Sequence, residues 1–492
     1  MKFSEIINKS NLKLNPDTLK DFEVKGLAYD SRKVKPGYLF FAITGLKDDG
    51  NKYIDNAINN GANVIFTEGD LKIAKDPNVL SFKVNSIRKL MAEISVIYYG
   101  NPSGKINLIG VTGTNGKTTT TYLIKSLLND AGYKAGLIGT IDYQIGDIKL
   151  DSTLTTPESV EMNMMLGEMV KAKMDFCVME VSSIALKMDR VYGLDFNSAV
   201  FTNLTSEHLD FHENMENYFF AKKILFDNLT PDDNAISNND DVYGDKILID
   251  SKAKKFFYSR KKKSNLRSFN EKLSLNGIEF DVEWNGKAYK LKSNISGRFN
   301  IYNILASVSA VLQYDIDMVS IQNSLLNFQE VNGRFNKVSL PNGAIAVIDY
   351  SHTSDSLKNA IESAREIVNE EKKNARVITI FGCGGNKDRT KRPVMGNFAA
   401  SLSDYSIITS DNPRFENPME IINEIITGIK SNKNFEVLEN REEAIKRGIE
   451  LSREGDIVLI CGKGHETYQE INGMRTYFND KEIVSKYLEN AK

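Results

Sequence analysis

Short apolar runs recur along this chain, each closed by glycine or a polar turn and followed by a segment with helix-spaced apolar residues. This is the pattern of strands buried on both faces alternating with amphipathic helices that cover them. Leu39–Ile43 reads as a buried strand. Tyr53–Glu68 predicts an amphipathic helix, a stop at Gly61 and a strand over Asn63–Thr67. A turn cluster at Asn101–Gly104 precedes a second series, INLIGVTG, AGLIGTI, MDFCVMEV and SAVFTNL. Lys252–Lys292 is polar and hairpin-like and predicts a β appendage, while Ser296–Leu312 predicts a helix. After Val331–Phe335 a third series begins: AIAVIDY, RVITIFG, YSIITSD and DIVLICG. The spacing predicts an α/β protein of mainly parallel sheets, divided at 1–102, 103–332 and 333–492.

A chain of 492 residues suits this three-domain division. The formal net charge of -2 gives no basic field for nucleic acid. No apolar run reaches the roughly 20 residues that membrane insertion requires, and the N-terminus has no secretory apolar core. Cys177, Cys383 and Cys461 are distant from one another in sequence and odd in number, which predicts buried free thiols in a reducing compartment. A cytoplasmic enzyme is expected. The four histidines, His208, His212, His352 and His465, all fall within motifs rather than being scattered.

The strongest motif is GVTGTNGKTTTT, Gly110–Thr121, between an apolar strand and a helical pattern. Glycines there let backbone N–H groups approach an anion, and the helix N-terminus adds partial positive charge. The expected ATP site comprises Gly113, Thr114, Asn115, Gly116, Lys117, Thr118 and Thr119, with Lys117 on the outer phosphates and Thr118 on Mg²⁺. The strict P-loop pattern is not met, since Val111 stands where its first glycine belongs. Glu180 ends a strand, where a carboxylate can hold Mg²⁺. Ser182 and Arg190 follow as candidates for an anionic substrate. His208 reads equally well as a metal ligand or a capping histidine. Lys222 lies on a largely apolar helix, where a lysine normally snorkels to the surface.

Taken together these stretches resemble the Mur ligase family. GVTGTNGKTTT, LTTPES, MEVSS, TNLTSEHLDFH, the AKK helix, SGRFNIYN, NGRF, IDYSHTSDSL, FGCGGNKDRTKRPVMG, DNPRFENP and GKGHETYQ run in the family's order across nearly the whole chain. The segment AYDSRKVKPGYLFFAITGLKDDG is similar to a UDP-binding N-terminal domain. The resemblance implies a central P-loop ATPase domain, a Rossmann-like C-terminal domain, and ATP-dependent amide formation through an acyl phosphate. It points to the branch adding the third stem-peptide residue to UDP-MurNAc-L-Ala-D-Glu in peptidoglycan precursor synthesis, and to a monomer.

By that resemblance Thr118 and Glu180 hold one Mg²⁺ and Glu180 and His208 a second. Lys222 falls where the family carries a lysine carbamylated by CO₂, a further metal ligand. Lys117, Glu180, His208 and Lys222 form the implied catalytic set. Asn300 and Asn303 would contact adenine, Arg334 the phosphates, and Asp349 the ribose with His352 beside it. Ser351 and Ser354 replace the usual Ala and Pro there and carry no expected chemistry. Ser31 and Arg32 would bind uridine, and Thr155, Thr156, Ser182 and Arg190 the muramoyl-dipeptide. Ile184 and Met188 stand where the family commonly has His and Gln, so some polar contacts to the dipeptide are replaced.

The amino-acid site implied by the resemblance uses Lys387, Asp411, Asn412, Arg414, Gly462 and Glu466. Arg414 closes DNPR, and its planar fork suits a distal carboxylate. This favours meso-diaminopimelate, with meso-lanthionine carrying the same two ends. Lys387 replaces the family's Arg in the GG-D-R-D motif, which predicts looser amino-acid recognition. The Asn332–Gly333 pair is the expected hinge. A lysine-adding homologue, a folylpolyglutamate-synthetase-like ligase and a P-loop phosphotransferase are the rival readings.

Overall fold

The computed structural model describes residues 1–12, 21–45, 48–69, 78–371, 374–430 and 434–490. Leu46 and Lys47, within the expected UDP-binding motif, lie outside the described residues. The chain forms two compact units, Met1–Gly110 with Tyr133–Ser198, and Val111–Gly132 with Ala199–Lys492.

In the first unit, strands Gly26–Ala28, Tyr38–Ala42, Ala62–Thr67 and Leu80–Lys83 pair in that order, all parallel. Leu39 and Phe41 face a core with Phe3, Phe66, Ile87 and Met91, while Phe40 faces the opposite core with Ala57 and Ile65. An unbroken apolar run is therefore what this two-sided strand needs. Helices Phe3–Lys9 and Ile87–Tyr98 supply the first core and Ile54–Asn59 the second. Gly61 sits at φ +97°, with Pro36 backbone only 2.8 Å from where a Cβ would lie, so the expected helix stop requires glycine. The same unit carries a second sheet segment, in which Ala135–Ile138 runs parallel to Phe176–Glu180 and antiparallel to Asp142–Ile145.

In the second unit, Asn234–Asn238, Lys254–Ser259 and Leu266–Ser274 pair in parallel. Gly277–Trp284 and Lys287–Ser293 then continue as an antiparallel meander. The expected β appendage at 252–292 is β structure, and it prolongs a sheet of this unit. Buried Phe256, Tyr258, Leu266, Phe280, Val282 and Leu291 supply the face that must be covered. The predicted helix is present as Phe299–Val311 and packs on Lys117–Asp130.

The other sheet of this unit has the order Asn336–Ser339, Ile345–Asp349, Ile457–Cys461, Val377–Phe381, Tyr405–Ile408, Phe435–Val437. All pairs are parallel except the first. The four apolar runs of the third series are its central strands. Their C-terminal ends lead into IDYSH, FGCGGNK, SDNPR and GKGHE, the edge at which open parallel sheets bind ligands. All three cysteines are buried and free, as expected.

Candidate active site

Strand Asn107–Thr112 leads into a turn with Gly113 at φ +150° and Gly116 at φ +86°, and helix Lys117–Asp130 follows directly. A Cβ on Gly113 would stand 1.9 Å from Thr202 Oγ1, and one on Gly116 2.3 Å from Asn303 Oδ1. The loop thus takes a shape closed to side chains. Thr114 Oγ1 lies 3.1 Å from the Tyr218 hydroxyl, and Asn115 N–H donates to Asn203 Oδ1 at 2.9 Å. Thr118 and Thr119 are buried in the first turn of the helix. Lys117 Nζ donates to the carbonyls of Gly113 and Thr114 at 2.9 and 2.8 Å.

Two further basic side chains reach this loop. Lys222, on helix Met215–Asp227, is buried and donates to Gly113 O at 2.9 Å, with the Tyr218 ring 4.6 Å from its Nζ. Burial, with the nearby charge of Lys117, holds its ammonium well below the usual lysine range. Arg334 Nη2 donates to Thr118 Oγ1 at 3.0 Å while its guanidinium lies over the Tyr350 ring. Lys117 and Arg334 together make a polyanion the natural ligand.

His208 has φ +56° and starts helix Leu209–His212. Burial lowers its pKa and outweighs the opposing pull of Glu207, and Lys117 and Lys222 lower it further, so the neutral ligating form of the ring is favoured. Glu207 accepts from His352 Nε2 at 3.1 Å. Burial alone would raise the Glu207 carboxyl, but the His352 bond and the charges of His208, His352 and Lys117 hold it well below the carboxylate range. Sequence reasoning missed Glu207, although it directly precedes His208 in the same motif. No group of three His, Cys, Asp or Glu residues able to hold a metal is found among the described residues.

Asn300 donates to Ser296 O at 2.7 Å and accepts from Asn303 Nδ2 at 2.8 Å, so both of its amide groups are engaged by protein. Asp349 accepts from the N–H groups of Phe335 and Ser351 at 2.8 and 2.9 Å, and also from the Ser351 hydroxyl. Ser351, expected to be silent, thus has a hydrogen-bonding role. The Asp349 bond holds Phe335 at φ +55°, next to Arg334. Gly333 has φ +68°, and its missing Cβ would fall 2.1 Å from His465 N. The His465 ring packs 4.9 Å from Tyr350, and burial with the charges of Arg334 and His352 pushes its pKa down to about 3.

The proposed amino-acid residues also come together. Arg414, at φ +54°, donates from Nη1 to Gly385 O at 2.8 Å. Asn412 Nδ2 donates to Glu466 Oε2 at 2.8 Å, and Asn412 O accepts from Gly385 N–H at 2.9 Å. Gly462 must be glycine, because a Cβ would stand 2.5 Å from Asp411 Oδ2 at φ +116°. Lys387 is exposed, on the loop whose Asn386 N–H donates to Glu416.

In the first unit, buried Glu180 accepts from Thr140 N–H and Oγ1 at 2.8 and 3.0 Å. Thr155 Oγ1 lies 3.0 Å from Thr140 Oγ1, and Thr156 donates to Glu180 O at 2.8 Å. Ser182 caps helix Ser183–Lys187 by accepting from Ala185 N–H. Arg190 donates to Thr156 O and stands 2.9 Å from Glu158, which also pairs with Arg88. Glu158 was not singled out from sequence, although it lies within LTTPES. Ser31 begins the turn Ser31–Lys33, while the Arg32 side chain is 87% exposed and pairs with Asp30.

A phosphate loop with three basic side chains, beside a parallel sheet whose strand ends carry polar motifs, defines a nucleotide-dependent α/β enzyme. The chain belongs to the Mur ligase family. The family models described as "Mur ligase family, catalytic domain", "Mur ligase middle domain" and "Mur ligase, glutamate ligase domain" match residues 23–99, 111–311 and 333–464. It is 44% identical to UDP-N-acetylmuramoyl-L-alanyl-D-glutamate--2,6-diaminopimelate ligase 1 of Clostridium acetobutylicum, over 99% of each chain. It is also 44% identical to the corresponding ligase of Clostridium botulinum, over 95% of each. A solved UDP-N-acetylmuramoyl-L-alanyl-D-glutamate--2,6-diaminopimelate ligase has a TM-score of 0.69 at 30% identity, covering 100% of this chain and 99% of that one.

Proposed function

We propose that this chain is an ATP-dependent ligase that joins the third stem-peptide residue, meso-diaminopimelate, to UDP-MurNAc-L-Ala-D-Glu. A carboxylate is a poor acylating agent, so its oxygen first attacks the γ-phosphorus of ATP, giving an acyl phosphate and ADP. Lys117 and Arg334 stabilise charge on the transferring phosphoryl group. The amino group of the incoming amino acid then attacks the acyl carbon, and the tetrahedral adduct collapses to amide and phosphate. Mg²⁺, with Thr118, Glu180, His208 and carbamylated Lys222 as its proposed ligands, would neutralise charge between phosphate and carboxylate.

The observation that carries this reading is Lys222, buried against the phosphate loop with its ammonium disfavoured. A neutral amine is the form that adds CO₂, and the product carbamate is an anionic ligand. A simple phosphotransferase leaves such a lysine unexplained. Asn300 and Asn303 are assigned to the adenine side, Asp349 and His352 to the ribose side, and Gly113–Thr119 to the phosphates. Ser31 and Arg32 are assigned to uridine, and Thr155, Thr156, Ser182 and Arg190 to the muramoyl-dipeptide. Lys387, Asp411, Asn412, Arg414, Gly462 and Glu466 are assigned to the amino acid. The domain limits 1–102, 103–332 and 333–492 enclose the three family matches and are kept as the proposed division. The reaction is assigned to a monomer in the cytoplasm, where ATP and nucleotide-linked precursors are supplied.

The test is product identity. Incubation with ATP, UDP-MurNAc-L-Ala-D-Glu and meso-diaminopimelate should yield, by mass spectrometry, the condensed tripeptide nucleotide with loss of one water. A stable phosphorylated dipeptide formed without any amino acid would instead favour the phosphotransferase. Meso-lanthionine, offered in parallel, should also be accepted because it presents the same distal head.

A further inference from the structure

We propose that Lys463 is a positioning residue for amino-acid selection, fixing the orientation of Asn412 and Glu466; the inference rests on the amino-acid site proposed above. Lys463 follows strand Ile457–Cys461 in the sequence Gly-Lys-Gly. A lysine in such a loop would ordinarily extend into water. Here Gly462 at φ +116° and Gly464 at φ +52° turn the chain so that the side chain points inward, with 0% exposure. A Cβ on Gly464 would lie 2.7 Å from both Gly333 O and Tyr350 Cβ, so the turn is closely packed.

The ammonium makes two hydrogen bonds, both to residues of the proposed amino-acid site. It donates to Asn412 Oδ1 at 3.1 Å and Glu466 Oε2 at 3.3 Å, and lies 5.5 Å from the centre of the Tyr468 ring. Buried and bonded to both, it is placed to arrange them. Asn412 Oδ1 also accepts from Glu470 N–H at 3.0 Å. Two donors on one side of the Asn412 amide force its carbonyl toward them and its NH₂ toward Glu466 Oε2. Glu466 thereby has one oxygen tied by Asn412 and Lys463, leaving the other to recognise a substrate ammonium. Without Lys463 the carboxylate loses the cation that compensates it and the bond that sets its rotamer.

The test uses the full-length enzyme with ATP and UDP-MurNAc-L-Ala-D-Glu, and meso-diaminopimelate or L-lysine as acceptor. Lys463→Met should reduce the ratio of kcat/KM values for the two amino acids by about tenfold or more. KM for ATP should stay within about twofold, since the hydrogen bonds of Lys463 go to Asn412 and Glu466. Lys463→Arg, which keeps charge and donors, should restore part of the ratio. If Lys463→Met fails to fold, as judged by its melting transition, Lys463→Gln takes its place with the same expected fall. An unchanged ratio, or an equal loss for both amino acids, overturns the positioning role, because a merely structural defect would not discriminate between them. A wild-type enzyme indifferent to the amino acid overturns the site reading itself, and the proposal with it.

Discussion

At the scale of single residues, the proposed chemistry depends most on side chains whose surroundings oppose their usual behaviour. Lys222 is the clearest case, a buried lysine held near another lysine and bonded to a backbone carbonyl. If its carbamate stabilises the reacting charges, Lys222→Ala should lower kcat by about a hundredfold or more while leaving the fold intact. Steady-state rates and a melting curve check this; a rate within about threefold of wild type would remove Lys222 from the mechanism. Lys387 offers the opposite experiment. Lys387→Arg supplies the missing fork, and KM for meso-diaminopimelate should fall by about threefold to tenfold. A KM that is unchanged or higher would mean Lys387 does not meet the substrate carboxylate.

At the scale of elements, the loops at the strand ends are held by bonds that sequence alone does not display. Gly333 occupies a left-handed conformation against the backbone of His465, so Gly333→Ala should destabilise the protein by more than about 2 kcal/mol. It should also slow turnover, because Arg334 is the next residue. Denaturant titration and kcat measure the two effects, and a variant as stable as wild type would contradict the tight packing. Glu416 anchors the Gly384–Lys387 loop by accepting from Asn386 N–H, from Arg392 at 3.0 Å and from Arg389 at 2.7 Å. Its hydrogen bonds from Arg392 hold its pKa down to about 2, against the burial that would raise it. A depressed carboxyl stabilises the fold above its unfolded value and loses that contribution as pH falls through the folded one. The melting temperature should therefore drop between about pH 5 and pH 2. Glu416→Gln should show a shallower drop; an identical pH profile would mean the anchor contributes nothing.

The same elements show how far the sequence could be read. The parallel strands of the third series were legible because they are covered on both faces and so stay apolar throughout. The 254–293 region was legible as β structure but not as a continuation of a sheet, since polarity reports exposure and not which edge a strand joins. The phosphate loop announced itself through Gly113, Gly116 and Lys117. Glu207 and Lys463 did not, because their roles depend on partners 145 positions away in one case and 51 in the other. The hydroxyl of Ser351 was passed over for a related reason. Its importance lies in the carboxylate it meets, which chain spacing does not reveal.

At the scale of the whole molecule, near-full-length similarity and a nucleotide loop met by Lys117, Lys222 and Arg334 support a single reaction, the coupling of ATP cleavage to amide formation. Such coupling requires that the acyl phosphate wait for an amine instead of meeting water. ATP consumption should therefore be gated by both acceptors. The most direct measurement is phosphate release from ATP in the presence of UDP-MurNAc-L-Ala-D-Glu, with meso-diaminopimelate, meso-lanthionine, L-lysine or no amino acid. Release that needs both acceptors and is fastest with meso-diaminopimelate or meso-lanthionine is the predicted result. Release at the same rate with no amino acid would contradict the ligase, and would leave only the nucleotide site standing.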